Sequence, residues 1–425
     1  MLRDMNPGVV CSFQRAALAA ALALAGCDTL ATAGPPDDET LAGPIPGLSG
    51  PQLARHLAGD AEFGRVFSAG EGLGPIFVAA SCESCHAGDG KGHPVFKLQR
   101  FGRMTADGFD PMRSAGGPQL QNRAVLRYFA ESVPGGATGI SVFTAPSVTG
   151  LGYLEAVDDQ TLLNLEDPND LDGDGISGRV QLVDASDVVT EITRIEDVLD
   201  GNAAPRIRVD GRYLGRFGKK ASAISLLHQT VSAYREDMGI TSDILPDDLV
   251  NRQVGGLAAD DVPDPEVPSS SVQSVVFYLR TLKVPPRRNA TDPQVVEGEQ
   301  IFRDIGCATC HRSSLTTGPS SLAPLDRATF HPYTDLLLHD MGPELDDGYT
   351  EGRATTSEWR TAPLWGVGLA AQSQGGRIFL LHDGRAETFA QAIEAHGGEG
   401  TARRSRYRTL ADGLKEKLFA FLRSL

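Results

Sequence analysis

The sequence predicts a mostly α-helical fold with two domains and long loops. Apolar residues recur at helical spacing in three stretches, at 272–282, 295–305 and 410–425. No stretch shows the sustained apolar–polar alternation that is typical of strands. A Cys-x-x-Cys-His pattern occurs once in each half of the chain. We therefore expect each domain to build a helical core around its own copy of this pattern.

The first residues predict export. Arg15 precedes a run of Ala and Leu that is too short to span a bilayer as a helix, and the run ends in Leu24-Ala25-Gly26-Cys27. This pattern is typical of a bacterial lipoprotein signal, in which residues 1–26 are removed and Cys27 is lipidated. An ordinary cleaved signal peptide is the alternative. We expect a periplasmic protein, anchored to a membrane if Cys27 carries a lipid.

Composition divides the rest of the chain. Residues 27–60 are rich in Pro, Gly and charged residues, so we expect a flexible tether. Residues 61–284 are expected to form the first domain, with an insertion around 156–210. Residues 291–425 are expected to form the second domain, after a linker that contains two consecutive prolines.

Each Cys-x-x-Cys-His pattern predicts one covalently bound haem c. The two thiols lie on one helical turn and can both form thioethers with one haem, while the imidazole of the next residue faces the iron as its proximal ligand. A zinc knuckle or a redox-active Cys pair is the alternative. The residues concerned are Cys82, Cys85 and His86 in the first half and Cys307, Cys310 and His311 in the second.

The helices around the second pattern have recognisable signals. Asp292 is a suitable N-cap residue and Pro293 suits the first position of the helix that leads to this pattern. Leucines within 410–425 predict an amphipathic C-terminal helix that covers the second haem. Thr144-Ala145-Pro146 follows the first pattern and Thr361-Ala362-Pro363 the second, as expected after an internal duplication.

Several longer motifs resemble those of the bacterial di-haem cytochrome c peroxidases, and most of all the subfamily of di-haem oxidoreductases, putative peroxidases. The motifs are CESCHAGDGKG, TAPSVTGLG, DLDGDGISGR, GRFGKKA followed by EDMGIT, TDLLLHDMG, WRTAPLWGVG and LHDGRAETFAQAIEAHGGE. The resemblance covers essentially the whole mature chain. It implies two cytochrome c-like domains, with hydrogen peroxide reduced at the first haem and electrons entering through the second from a periplasmic or membrane donor.

The resemblance also implies a sixth ligand for the second haem. In the peroxidases this ligand, usually Met, comes fourteen residues after the His of the HDG motif, and here His396 stands fourteen residues after His382. His311 and His396 would then form a bis-histidine pair, which favours the ferric state. Met341 is the alternative ligand, and His382 is expected to be a hydrogen-bonding neighbour of the haem.

At the first haem, the resemblance implies a proton-transferring carboxylate above an open face. Asp237, followed by Met-Gly, would carry the proton between the two oxygens of peroxide, and Gln229 would orient the ligand. Glu236 is a weaker candidate for the carboxylate. A histidine could instead close this face, and His93 and His228 are the nearest in sequence.

Three basic residues in or beside the GRFGKKA motif are candidates for haem propionates: Arg216, Lys219 and Lys220. The peroxidases have a Trp in this motif that relays electrons between the haems, and this chain has none there. Phe217 or the haem edges themselves would have to bridge the two sites.

The segment Asp170-Leu171-Asp172-Gly173-Asp174-Gly175 partly matches a calcium-binding loop. Asp170, Asp172 and Asp174 supply the first three oxygen positions, but Gln181 stands at the twelfth position, where a bidentate Glu is expected. The resemblance to the peroxidases, which hold a calcium between their haems, favours a calcium site. An Asp/Gly turn without metal is the alternative.

Two further functions remain open from the sequence. A pure electron-transfer protein would have two six-coordinate haems, and an oxidase of a partner protein or thiol would have one open haem and a docking surface. The formal net charge of −16 disfavours nucleic acid as a partner and suits a basic electron-transfer protein.

Overall fold

The chain contains both helices and short strands, so the fold is mixed α/β and the expectation of a mostly α fold is wrong. In the computed structural model, which describes residues 40–185, 192, 207–255 and 258–425, helix accounts for 33% of the structure and strand for 15%. Residues 41–425 form one compact unit. The expected signal peptide and lipidated Cys27 lie outside the described residues, as does the middle of the expected insertion.

The helices range from one to four turns. Their bounds are Gly50–Phe63 (α1), Leu151–Glu155 (α2), Asp159–Leu163 (α3), Leu226–Met238 (α4), Ser269–Thr281 (α5), Pro293–Asp304 (α6), Ala370–Ser373 (α7), Phe389–Glu394 (α8), Thr401–Thr409 (α9) and Asp412–Ser424 (α10). The three helices expected from apolar spacing are confirmed as α5, α6 and α10. Asp292 caps α6, because its side chain accepts from the N–H of Gln294.

The strands form small antiparallel sheets. Their bounds are Ile76–Phe77 (β1), Lys97–Thr105 (β2), Gly108–Asp110 (β3), Arg123–Ala124 (β4), Gly139–Thr144 (β5), Gln181–Val183 (β6), Arg208–Val209 (β7), Arg212–Gly215 (β8), Leu315–Thr316 (β9), Thr329–Phe330 (β10), Leu338–Asp340 (β11) and Glu358–Arg360 (β12). Strand β2 pairs with β3 and β5, β8 pairs with β6 and β7, and the pairs β1–β4, β9–β10 and β11–β12 complete the set in the described chain. Most strands are too short to give a period of two, which explains why the sequence did not predict them.

The chain before the first haem pattern differs from the expected tether. Residues 50–60 belong to α1, whose start is fixed by Ser49, since the Ser49 N–H donates to Gln52 Oε1 at 2.8 Å. Inside the helix, His56 Nδ1 lies 2.8 Å from Thr281 Oγ1 of α5. The Pro and Gly residues that suggested a tether are concentrated before Ser49, where they do not prevent a helix from starting.

Two helix pairs hold the haem-pattern segments. Helix α1 packs on α5, and helix α6 packs on α10. The second pair approaches closely at Gly298, where an added Cβ would lie 2.0 Å from the backbone oxygen of Lys417. Phe302 and Tyr333 pack on Phe421 at this crossing, with ring centroids 5.1 and 5.6 Å away. None of the helices in the described chain has the length and apolar character needed to cross a bilayer.

The close crossing predicts the effect of adding one methyl group. Gly298→Ala should lower the free energy of unfolding by roughly 1–3 kcal/mol, because the methyl group meets rigid backbone and α6 has to move away from α10. Gly413→Ala is the matched control, since nothing lies within 4 Å of its added Cβ. That variant should raise the stability by about 0.4–1 kcal/mol. Urea denaturation of both variants tests the prediction, and equal stabilities would contradict it.

Candidate active site

The first Cys-x-x-Cys-His pattern forms one turn in the wall of a cavity. The backbone N–H groups of Cys85 and His86 both donate to the carbonyl oxygen of Cys82 at 3.1 Å. Ser81 and Ser84 support the turn, since the Ser84 N–H donates to Ser81 Oγ at 3.1 Å. The turn therefore brings both thiols and the imidazole to the same wall.

The second pattern repeats this arrangement and fixes its imidazole. The His311 N–H donates to the carbonyl oxygen of Cys307 at 3.0 Å. His311 Nδ1 lies 2.9 Å from the carbonyl oxygen of Tyr333. Because a carbonyl oxygen only accepts, Nδ1 carries the proton and Nε2 keeps its lone pair. Desolvation lowers the pKa of His311, and likewise of His86, to about 4, so both rings are neutral and can bind a metal.

Both patterns face the same interior space. Its volume is about 480 Å³. The haem residues expected from the sequence all line it: Cys82, Cys85, His86, Cys307, Cys310 and His311. No disulfide links these cysteines, whose thiols are all free. The sequence therefore identified two patterns that the fold brings to one cavity.

Both candidates for the sixth ligand of the second haem also line this cavity. His396 follows α8, and its Nδ1 lies 2.7 Å from the carbonyl oxygen of Ala392. This contact places the proton on Nδ1 and leaves Nε2 able to bind a metal. Met341 also lies in the cavity wall. Its thioether has no N–H group that could donate to a backbone oxygen and fix the direction of the sulfur. The geometry favours His396, and the choice of ligand stays a prediction.

The proposed proton-transferring residues lie on α4. Gln229 and Asp237 both line the cavity, two turns apart on this helix. The backbone oxygen of Asp237 accepts from the N–H groups of Val78 and Ala79, at 2.7 and 3.0 Å, and so ties α4 to the segment that enters the first haem pattern. Desolvation raises the pKa of Asp237 to about 6, even though a hydrogen bond from Gln119 lowers it. The carboxylate therefore titrates close to neutral pH.

The other distal candidates point elsewhere. Glu236 is not among the residues lining the cavity in the described chain, and its Oε2 lies 3.4 Å from Arg100 Nη2. His93 and His228 are also absent from that lining. The Val95 N–H donates to His93 Nδ1 at 3.1 Å. The geometry therefore favours Asp237 over all three.

Of the three basic residues expected at haem propionates, only Lys219 lines the cavity. Arg216 forms a buried ion pair with Asp159 instead. Lys220 donates to backbone oxygens, including that of Glu358 at 2.9 Å. The expectation for these two residues is therefore wrong, because a consecutive basic pair points its side chains in different directions and Arg216 is needed inside the fold.

Lys91 and Arg360 are among the further basic residues that join Lys219 in the cavity wall and were not expected from the sequence. Lys91 Nζ donates to the backbone oxygens of Phe379 and Leu381, at 2.6 and 2.7 Å. Lys91 stands within CESCHAGDGKG, so its position beside the first haem pattern was the available signal. Arg360 stands within WRTAPLWGVG, so a motif signal was available for it as well, and the pairing of β11 with β12 brings it to the site.

An aromatic pair lies in the wall between the two halves. The ring of Trp359 stacks on His382 with centroids 3.7 Å apart and planes 7° apart. Trp359 is oriented by its Nε1–H, which donates to the backbone oxygen of Leu345 at 2.9 Å. The Thr144 N–H donates to the backbone oxygen of His382 at 2.8 Å and so links the pair to the first half. Phe217, which the sequence analysis expected to bridge the sites, also lines the cavity.

A buried imidazole supports the second haem pattern. His339 Nε2 lies 2.9 Å from Asp335 Oδ2, and Nδ1 lies 2.7 Å from Glu399 Oε2. Burial alone would lower the pKa of His339, but hydrogen bonds to Asp335, Cys310 and Glu399 raise it to about 12. The ring is therefore a fixed cation beside Cys310, whose Sγ lies 3.7 Å from Nδ1. Glu399 also accepts from Ser177 Oγ at 2.8 Å.

The expected calcium loop has a different set of neighbouring carboxylates. Asp170 and Asp172 lie together with Asp167, with one oxygen of each within 4.8 Å of the others. Asp174, expected as the third ligand, instead forms an ion pair with Arg403 at 3.0 Å. Gln181 belongs to β6, so it does not complete the loop. Asp174 therefore stands outside this cluster of carboxylates, and calcium binding at the loop stays a prediction.

The comparisons with known proteins agree with the resemblance found in the sequence. A family model described as di-haem oxidoreductase, putative peroxidase matches residues 22–101 and 137–425. No curated protein matches the chain. A solved structure of Kuenenia stuttgartiensis hydrazine synthase, pressurised with 20 bar xenon, is 14% identical and covers 93% of this chain and 97% of that chain, with a TM-score of 0.38 that is too low to support a conclusion. The chain belongs to the di-haem oxidoreductase, putative peroxidase family.

Proposed function

We propose that this di-haem oxidoreductase reduces hydrogen peroxide at the first haem pattern, with electrons entering through the second. The observation that carries the proposal is the position of Asp237, a carboxylate with a raised pKa in the wall of the cavity that His86 also lines. Such a group can act as both base and acid near neutral pH. The substrate, the covalent attachment and the periplasmic location all belong to this proposal.

The residues in the cavity fit two covalent haems. Each pattern offers two thiols and one neutral imidazole, and His311 and His396 each have Nδ1 held by a carbonyl oxygen. Arg360 supplies positive charge for a propionate in a wall that is mostly apolar. Lys219 can donate hydrogen bonds beside it, although desolvation and the nearby charges of Lys91 and Arg360 hold the pKa of Lys219 well below its usual value. The chemistry that a bound haem supplies here is the transfer of two electrons to peroxide, which with two protons gives two molecules of water.

Asp237 and Gln229 would handle the proton and the orientation of peroxide. In its ionised form, Asp237 accepts a proton from the oxygen of peroxide nearer the iron and returns it to the departing oxygen. Gln229, on the same face of the cavity, can donate an amide N–H to peroxide and accept its O–H.

The second site suits electron entry. His311 and His396 would each hold a haem iron at this site through Nε2, since Nδ1 of each ring is bonded to a backbone oxygen, and two imidazole ligands would leave no position for substrate. The imidazolium of His339 and the two carboxylates that hold it, those of Asp335 and Glu399, place a charge of constant value beside Cys310. The acidic surface of the chain favours a basic periplasmic or membrane electron donor.

The mass of the purified protein tests haem attachment and export together. We expect the intact mass to show loss of residues 1–26, two covalent haems and a lipid on Cys27, for protein made in a bacterium that assembles c-type cytochromes. Replacing Cys82 and Cys85 with Ser should remove one haem, because both thioethers of that haem are lost. Haem that acidified solvent extracts, or a mass that still includes Met1, would contradict the proposal.

Replacement of Asp237 tests the catalytic role. Asp237→Asn should lower kcat/KM for peroxide by roughly 10²- to 10⁴-fold, because the amide cannot accept the proton. In the unchanged protein, turnover should fall as the pH drops through about 6, where Asp237 becomes protonated. Asp247→Asn is the control, since this exposed carboxylate lies outside the cavity.

The same preparations separate the alternative functions. Steady-state turnover should be accompanied by a high-spin haem that responds to peroxide in electron paramagnetic resonance, in the oxidised or half-reduced protein. Two low-spin haems that ignore peroxide in both forms would indicate a pure electron carrier. A high-spin haem that reacts with peroxide but turns over only when a partner protein or thiol is added would indicate a partner oxidase.

A further inference from the structure

We infer that Gln119 is a positioning residue for the proposed peroxide reduction, because its side-chain amide holds the carboxylate of Asp237 in its ionised form and fixes the direction of that group. The inference rests on the proposed function for the role of Asp237, but the contact itself does not. Gln119 lies outside the cavity lining in the described chain, so it acts through Asp237 and does not touch substrate.

The hydrogen bonds of Gln119 define the orientation of its amide. Gln119 is 2% exposed, and its Nε2 donates to Asp237 Oδ1 at 2.7 Å and to the backbone oxygen of Glu236 at 2.9 Å. Its Oε1 accepts from Arg100 Nη2 at 3.3 Å. A guanidinium can only donate, and an ionised carboxylate can only accept, so the reverse amide orientation would break three contacts.

This orientation has a chemical consequence for Asp237. Because Oδ1 already accepts the amide N–H, Oδ2 is the oxygen with both acceptor sites left for proton transfer. A hydrogen bond donated to a carboxylate favours its ionised form and so lowers its pKa. Desolvation acts in the opposite direction and is the larger influence, which leaves the pKa of Asp237 at about 6. Gln119 therefore keeps this carboxylate from titrating at a still higher pH.

Other charged groups near Asp237 do not replace the amide. Arg100, from β2, favours the ionised form through space, but its guanidinium is bound by Glu351 at 2.9 Å and Glu236 at 3.4 Å. Glu236, on α4 itself, disfavours the ionised form. The thiols of Cys82 and Cys85 lie near the carboxylate on its other side, and thioether formation would remove their titration. The direct hydrogen bond is thus the specific contribution of Gln119.

Gln119 lies in residues 102–136, between the two segments that the family model matches. The resemblance on which Asp237 and Gln229 were chosen therefore could not indicate it. The segment reaches α4 because β2 and β5 pair on either side of it and an isolated bridge joins Gln119 to Arg100.

The chain offers a closely matched control in Gln121. This side chain is also 2% exposed, and its Nε2 donates to the same backbone oxygen of Glu236 at 3.0 Å. Among the described residues, no hydrogen bond joins Gln121 to Asp237. Gln119→Leu and Gln121→Leu each remove a buried amide that donates to the backbone oxygen of Glu236. Only Gln119→Leu also removes a hydrogen bond to the carboxylate of Asp237.

The test is an infrared pH titration of the carboxyl group in the full haem-loaded protein, with the Asp237 band identified by its loss in Asp237→Asn. We expect the pKa of Asp237 to rise by roughly one pKa unit in Gln119→Leu, because the ionised form loses a charged hydrogen bond. It should stay near 6 in Gln121→Leu. The pH below which peroxide turnover falls should rise by the same amount in Gln119→Leu and stay unchanged in Gln121→Leu.

A second variant keeps the test informative if Gln119→Leu does not fold. Gln119→Glu preserves the size of the side chain and the contact with Arg100, but places a second carboxyl group against Asp237. Like charge raises a carboxyl pKa, so the titration should again move upward. Equal titrations in the unchanged protein and both Gln119 variants, or equal shifts in Gln119→Leu and Gln121→Leu, would overturn the inference.

The outcomes also separate this inference from the proposed function. If no haem responds to peroxide, peroxide reduction is wrong, but the infrared titration still reports whether Gln119 controls Asp237. If peroxide is turned over with an acid limb that Gln119→Leu leaves in place, the proposed function stands and the positioning role is wrong.

Discussion

Two neutral imidazoles, those of His86 and His311, face one interior cavity, and the surrounding structure serves to hold them there. A neutral ring with one nitrogen bonded to a backbone oxygen presents its other nitrogen in a fixed direction, as Tyr333 ensures for His311. Tyr333, which lies in a loop, and Ala392, in the short helix α8, supply such backbone oxygens to His311 and His396. Longer regular elements would satisfy these groups internally, and this difference accounts for the irregular fold around the site.

The electrostatics of the cavity follow a simple division. At the first site, the carboxylate of Asp237 accepts a hydrogen bond that only partly offsets the effect of burial, so its pKa is about 6. Near the second site, the imidazolium of His339 is held between two carboxylates and cannot lose its proton near neutral pH. The first arrangement suits proton transfer, whereas the second supplies a constant charge. The two sites therefore differ in what their protein groups can do, although their Cys-x-x-Cys-His turns are similar.

The sequence predicted local features well and distant contacts poorly. Helix α6 was predictable because its cap and apolar face are contained in a dozen consecutive residues. The sheets were not, because strands as short as β1 and β4 carry no periodicity and are paired by contacts far along the chain. The same reason explains the site: the haem patterns, Asp237 and Arg360 belong to recognisable motifs, while Gln119 joins them only through the fold. Arg216 shows the converse, a motif residue that the interior uses for an ion pair.

The contact between Thr144 and His382 has a consequence for how this chain can be divided. Leu315, Phe330 and Trp365, from beyond the proline-rich linker, belong to the same apolar core as residues of the first half. A fragment that ended at the linker would leave that core open and lose the wall formed by Trp359 and His382. Whatever duplication produced the two patterns, neither copy now encloses its own site, so a deletion that removes one half should disable the other as well.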